Sequence, residues 1–200
     1  HYVRTCVACA ARKGQMVAGP AGSAAINRCN ETLSVDLLGP FPLSRRGRKW
    51  ILVCVDALSR YAVCRALRDD KATTIAEAMR KSVFQMRGFP DRLQSDRGAN
   101  FLSAVVRALN DMAWVKHKKT TAFHASANSK SEVFNKTLVQ RLKNYVARVG
   151  QDDWDELLQD CVWSYNSSRS AAIGMSPVAA LFGWGPRLPS VTALTPAPEA

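Results

Sequence analysis

Residues 49–68, KWILVCVDALSRYAVCRALR, narrow the choice of fold more than any other stretch. KWILVCVDA (49–57) is apolar and β-branched, and YAVCRALR (61–68) alternates apolar with polar positions, so each reads as a strand. Only Leu58, Ser59 and Arg60 separate them, and a connection that short joins antiparallel neighbours. ETLSVDLL (31–38) reads as a strand before them. TTIAEAMRKSVFQMRG (73–88) is helical, with Thr73 or Thr74 as a cap and Gly88 as the stop. DRLQSD (91–96) is a short buried strand, NFLSAVVRALNDMA (100–113) a helix and WVKHKKTT (114–121) a fifth strand. AFHASANS (122–129) is a polar loop, and KSEVFNKTLVQRLKNYVARVG (130–150) is a long helix. A further helix starts near Asp152, Asp153 and Trp154. The order βββαβαβα predicts an α/β layered domain on a mixed five-stranded sheet flanked by helices.

Two hundred residues are enough for one sizeable core. The net charge of +12 and pI near 9.8 point to a polyanionic partner, with nucleic acid the first candidate. No apolar run approaches a membrane span, and the first residues carry no signal-peptide core. The chain has no initiator Met, which reads as a piece of something longer. MVAGPAGSAAIN (16–27) is a small-residue linker, and GPRLPSVTALTPAPEA (185–200) is a Pro-rich extended exit. The six cysteines form no disulfide framework. Cys54 and Cys64 fall in buried strands and Cys161 in a helix, as small hydrophobes. Cys6 and Cys9 are the spaced pair, and the set suits a reducing compartment.

Three carboxylates stand where open α/β sheets gather their sites. Asp36 ends or interrupts the first strand, Asp96 ends the fourth, and Glu132 lies in the first turn of the long helix. Acids brought together repel one another unless a hard cation with a taste for oxygen neutralises them. On the long helix, Phe134, Leu138, Leu142, Tyr145 and Val149 form a core stripe. Glu132, Lys136, Val139 and Lys143 share another face, so the acid travels with two potential phosphate ligands. Glu132 also reads as an ordinary first-turn acid favoured by the helix dipole, with Lys136 as its i+4 partner. Asp36 is harder to dismiss, because an unpaired buried acid is costly.

SVDLLGPFP, QSDRGANF, FHASANSKSEVFNKTL and AAIGMSPVAALFGWGPRLP together resemble the integrases of gypsy-type long-terminal-repeat retrotransposons, and more distantly those of retroviruses. Thirty-five residues lie between Asp96 and Glu132, the spacing of that family's Asp-Asp-35-Glu triad. The resemblance runs in order from about Tyr2 to Pro189. It implies an RNase H-like fold and an endonucleolytic polynucleotidyl transferase that processes 3′ ends and transfers them into target DNA. By the same resemblance, Asp36, Asp96 and Glu132 are catalytic and hold two Mg²⁺ or Mn²⁺ ions. Asn128, Asn135, Lys136, Arg141 and Lys143 are the implied contacts to double-stranded DNA, and His124 belongs to the loop that approaches the DNA ends. Asp56, in VDALSRY, also matches the family, but the implied catalytic acid is the one in VDLLGP; Asp56 is expected to organise the turn into the third strand.

The resemblance divides the chain into the end of a His-His-Cys-Cys zinc domain (1–13), a linker (14–27), the catalytic core (28–184) and the exit segment (185–200). Cys6 and Cys9 supply two of the four ligands that a tetrahedral zinc site needs, so zinc is expected only if a histidine pair lies upstream. The family also implies a homo-oligomer, no membrane partner and work in the nucleus on host chromatin. Four positions depart from its pattern. Ala125 and Ser129 replace a proline and a glycine of the loop, Val133 replaces a frequent arginine, and Val139 stands where a basic residue is common; Arg141 and Lys143 are the basic residues nearby. A catalytically defective or domesticated DNA-binding relative would keep the same fold and charge, and a nuclease of this fold would cut without joining.

Overall fold

The computed structural model describes residues 26–95, 99–113, 122–123, 129–149 and 152–186. Strands β1 (Thr32–Leu38), β2 (Trp50–Asp56) and β3 (Ala62–Leu67) run antiparallel in succession. Helix α1 follows, in three continuous pieces: Ala72–Met79, a π-helical turn at Arg80–Phe84, and Gln85–Arg87. Next come β4 (Arg92–Gln94), α2 (Ala99–Ala113), β5 (Ala122–Phe123), α3 (Ser129–Val149), α4 (Trp154–Ser167) and α5 (Pro177–Phe182). The sheet order is β3-β2-β1-β4-β5, with β4 parallel to both neighbours. The expected mixed five-stranded sheet is therefore present, with β1 at its centre.

Period-2 alternation assigns the two faces of the sheet to two cores. Leu33, Val35, Leu37, Leu52 and Cys54 pack with Ile75, Met79 and Val83 of α1 and with Val105 and Leu109 of α2. On the opposite face Ile51, Val53, Val55 and Cys64 pack with Phe134, Leu138 and Leu142 of α3 and with Trp154, Leu158 and Cys161 of α4. The predicted stripe on α3 is thus buried as far as Leu142; the side chains of Tyr145 and Val149 lie outside the described residues. Burial pushes the Cys54 thiol up to about 12, with nearby Arg87 opposing, so it packs as an uncharged group.

Three local expectations are corrected. Helix α1 starts at Ala72, after Lys71, which makes no side-chain cap. Just before it, the Asp69 Oδ1 accepts from the Lys71 N–H at 3.2 Å. The helix is also not α-helical throughout, for it widens at Arg80–Phe84, where the Ser82 hydroxyl donates to the Ala78 carbonyl at 2.6 Å. Finally, β5 is Ala122–Phe123, within the stretch read as a polar loop. Residues 114–121, read as that strand, lie outside the described residues, as do most of the linker and of the exit segment.

The loop from β1 to β2 ties the sheet to α4. Gly39 has φ +134°, and a Cβ there would meet the Lys49 carbonyl and the Trp50 ring at 2.8 Å, so only glycine fits. Beyond it the Trp154 indole N–H donates to the Pro42 carbonyl at 2.8 Å, and the Phe41 ring packs tilted against the same side chain, with centroids 5.2 Å apart. The outer edge of β3 is closed by side chains of α4. Asn166 pairs like a strand with Ala62, accepting from its N–H at 2.9 Å and donating to its carbonyl at 2.8 Å, and Gln159 donates to the Cys64 carbonyl at 2.9 Å. Both Asn166 bonds are buried, so Asn166→Ala is expected to cost roughly 2–4 kcal/mol in urea unfolding, and a loss under about 0.5 kcal/mol would contradict this role for the amide.

Candidate active site

Asp36 shares its side of β1 with Ser34 and Leu38, the side that faces α3, because Val35 and Leu37 point to α1 and α2. Its Cα partner on β2 is Val53. The side chain is 9% exposed, on a central strand whose other residues are almost all buried. Its Oδ1 accepts from the Leu37 N–H at 2.7 Å, and its Oδ2 accepts from the Asn135 amide at 2.5 Å. Asn135 reaches that position because its neighbour Phe134, 1% exposed, is locked into the core by the edge of Tyr165 at 4.6 Å. Burial pushes the Tyr165 hydroxyl above its ordinary value, with Arg60 and Arg141 opposing, so it remains neutral beneath the site. The Asn135 Oδ1 is buried and receives no hydrogen bond.

The backbone of Glu132 lies in the first turn of α3, one turn before Asn135. Its side chain lies outside the described residues, as do Asp96, Asn128, His124, Cys6 and Cys9. β4 ends at Gln94, whose register partner is Ser34, two residues before Asp36. Among the described residues no three His, Cys, Asp or Glu side chains converge on one point. The one described acid of the three presents oxygens, and the orphaned Asn135 oxygen beside it is a further hard donor. This chemistry fits Mg²⁺ or Mn²⁺.

Along α3 a groove of about 400 Å³ is lined by Asn135, Lys136, Val139, Gln140 and Lys143. The face read from the 3.6 period, with its two exposed lysines, is therefore an open surface beside Asp36. Gln140 was not singled out from sequence, although its place one turn after Lys136 was a usable signal; its amide donates to Asn144 at 3.2 Å. Arg141 faces the other way. It is half-buried, and its guanidinium donates to the Ser164 hydroxyl of α4. Val133 is 67% exposed at the start of the same helix.

Asp56 is a different kind of acid. It is 1% exposed and accepts four hydrogen bonds: Oδ1 accepts from the N–H of Leu58 at 3.1 Å, from the N–H of Ser59 at 2.7 Å and from the Ser59 hydroxyl at 2.8 Å, and Oδ2 accepts from the Asn30 N–H at 2.5 Å. These bonds build the turn into β3, as expected, and the buried carboxylate faces no open surface.

A sheet of this order, with its antiparallel β1–β3 meander and helices on both faces, is RNase H-like. The structure aligns with the integrase catalytic core domain of HTLV-2, solved in complex with magnesium in a trimeric form. That alignment has a TM-score of 0.58 and 16% identity, over 76% of this chain and 95% of the other. In sequence, residues 27–128 match the Integrase core domain family. The chain belongs to that family. It is 26% identical over 155 residues to the retrovirus-related Pol polyprotein from transposon 412 of Drosophila melanogaster, and 25% identical over 183 residues to the Gag-Pol polyprotein of feline leukemia virus. These matches cover 78% and 91% of this chain but 12% and 11% of the polyproteins. Among the described residues no helix is long and apolar enough to cross a membrane.

The two acids differ in what their removal does. Asp56→Asn turns an amide N–H toward donors and is expected to lose roughly 2–4 kcal/mol in chemical unfolding, because several charge-assisted bonds fail together. Asp36→Asn, at a carboxylate held by a residue of the open α3 groove and not enclosed in a turn, should lose clearly less. Equal losses would contradict the division of roles.

Proposed function

We propose that this chain is the catalytic core of a gypsy-type retroelement integrase, a metal-dependent polynucleotidyl transferase that processes the 3′ ends of element DNA and joins them to target DNA. The observation that carries this reading is the Asp36–Asn135 contact at the centre of the sheet, opening onto a groove lined by two lysines. Asp96 and Glu132 complete the set in this proposal. Asp36 and Asp96 each follow by two positions the register pair Ser34 and Gln94, and Glu132 precedes Asn135 by one helical turn. The magnesium held by the HTLV-2 core domain supports a divalent ion for this donor set. Two such ions, when bound, polarise the scissile phosphodiester and favour deprotonation of the attacking hydroxyl.

The chain's own residues supply position and charge. Asn135 holds one Asp36 oxygen through its N–H donor and keeps the carboxylate from turning into the core. Lys136 and Lys143 lie seven residues apart, about 10 Å along the helix, and both can take phosphates of one strand. In this proposal Asn128 lies near the DNA end, while Arg141 serves the duplex through its hold on α4. Water is the first attacking oxygen and the freed 3′-hydroxyl the second, so no serine or cysteine nucleophile is required. The chain would act as a homo-oligomer, a reading supported by the trimeric HTLV-2 form. It would work in the nucleus, within the layout of zinc-domain end, linker, core and exit segment. Cys6 and Cys9 would hold zinc only with an upstream histidine pair.

A strand-transfer assay on a labelled donor end tests this within the full-length protein. Joined products are expected with Mg²⁺ or Mn²⁺ and should be lost in Asp96→Asn. DNA binding without cleavage would favour a defective relative, and cutting without joining would favour a nuclease. Independently of activity, Mn²⁺ at ten times its dissociation constant should stabilise the wild-type chain by about 1.4 kcal/mol in thermal unfolding, and Asp36→Asn should abolish the effect. Lys136→Ala should weaken duplex binding for all sequences and reduce the salt slope by about one, whereas an unchanged slope would remove Lys136 from the DNA face.

A further inference from the structure

At the end of the sheet where β1 begins, two aromatic rings stand in the open, next to a third that packs on a buried arginine. Phe182 and Trp184 are 49% and 54% exposed, and their rings stack with centroids 5.6 Å apart at 26°. Gly183 makes this possible: its left-handed φ of +79° ends α5 and folds the chain back, so that Trp184 returns alongside Phe182. The other side of Phe182 meets Tyr61 edge-on at 5.5 Å. The Arg87 guanidinium lies 5.4 Å from the centre of the Tyr61 ring. Its Nε and both Nη atoms are buried without an acceptor, and so is the Nε of Arg60. Among the described residues neither arginine makes an ion pair. The acid at the base of this corner, Asp56, is sealed by its four donors.

We propose that this corner binds single-stranded nucleic acid, with bases stacked on Trp184 and Phe182 and the phosphate backbone drawn to Arg60. Exposed ring faces beside cations are the combination that takes unpaired bases without regard to sequence. A duplex hides its base faces and can use only the cations. A polyanion gains from the local cations as well as from the rings, and the chain's net charge of +12 draws one in. Neither ring nor Arg60 lines the groove beside Asp36, and binding here does not depend on the catalytic reading.

Fluorescence anisotropy with a labelled oligothymidylate and a duplex of equal length tests this on the whole chain, in EDTA so that divalent ions play no part. Trp184→Ala and Phe182→Ala should each weaken oligothymidylate binding at least about fivefold and leave duplex binding unchanged. Trp184→Phe, which keeps a ring, should retain most of the affinity, and Arg60→Gln should reduce the single-strand salt slope by about 0.7. Equal losses on both substrates, or an unchanged affinity for oligothymidylate, would overturn the proposal. So would variants that alter the sedimentation of the protein while binding DNA normally, since that outcome marks a protein-docking surface.

Discussion

The docking of α3 onto the sheet through Phe134, Leu138 and Leu142 is the contact on which the rest of the site depends. It fixes the helix on the face of β1 that Asp36 occupies, and it brings the Asn135 amide to the carboxylate. A central strand buried on both faces tolerates an acid only where that acid has a partner. Here the partner comes from a helix nearly one hundred residues later, so fold and site form together. The same docking directs Lys136 and Lys143 outward and turns Arg141 back onto α4.

Much of this was legible in the sequence because it rests on short periods. The β2–β3 hairpin followed from two apolar runs with three residues between them, and the register confirms it. The buried stripe and the lysine face of α3 followed from the 3.6 repeat. Asp36 stood out as an acid inside an apolar strand, and Asp56 was separated from it by resemblance before its four hydrogen bonds gave the physical reason. The family matched by residues 27–128 agrees with that resemblance.

What sequence missed depends on contacts between distant segments or on backbone detail. Asn166 mimics a strand against Ala62 across 104 residues, and no local pattern announces such a bond. The π turn in α1 leaves the apolar spacing nearly intact, so periodicity alone reads a plain helix. The polar letters of AFHASANS hid a two-residue strand that pairs with β4. The Tyr61–Phe182–Trp184 corner joins a hairpin turn to the end of α5, and only the folded chain shows that these rings meet.

The central claim is that Asp36 is a metal-binding carboxylate while Asp56 is a structural one. Anomalous diffraction from crystals of this chain grown with Mn²⁺ addresses it most directly. The account predicts an anomalous peak within about 2.0–2.6 Å of an Asp36 carboxylate oxygen. A peak at Asp56, or none near Asp36 at a Mn²⁺ concentration that stabilises the protein, would contradict it.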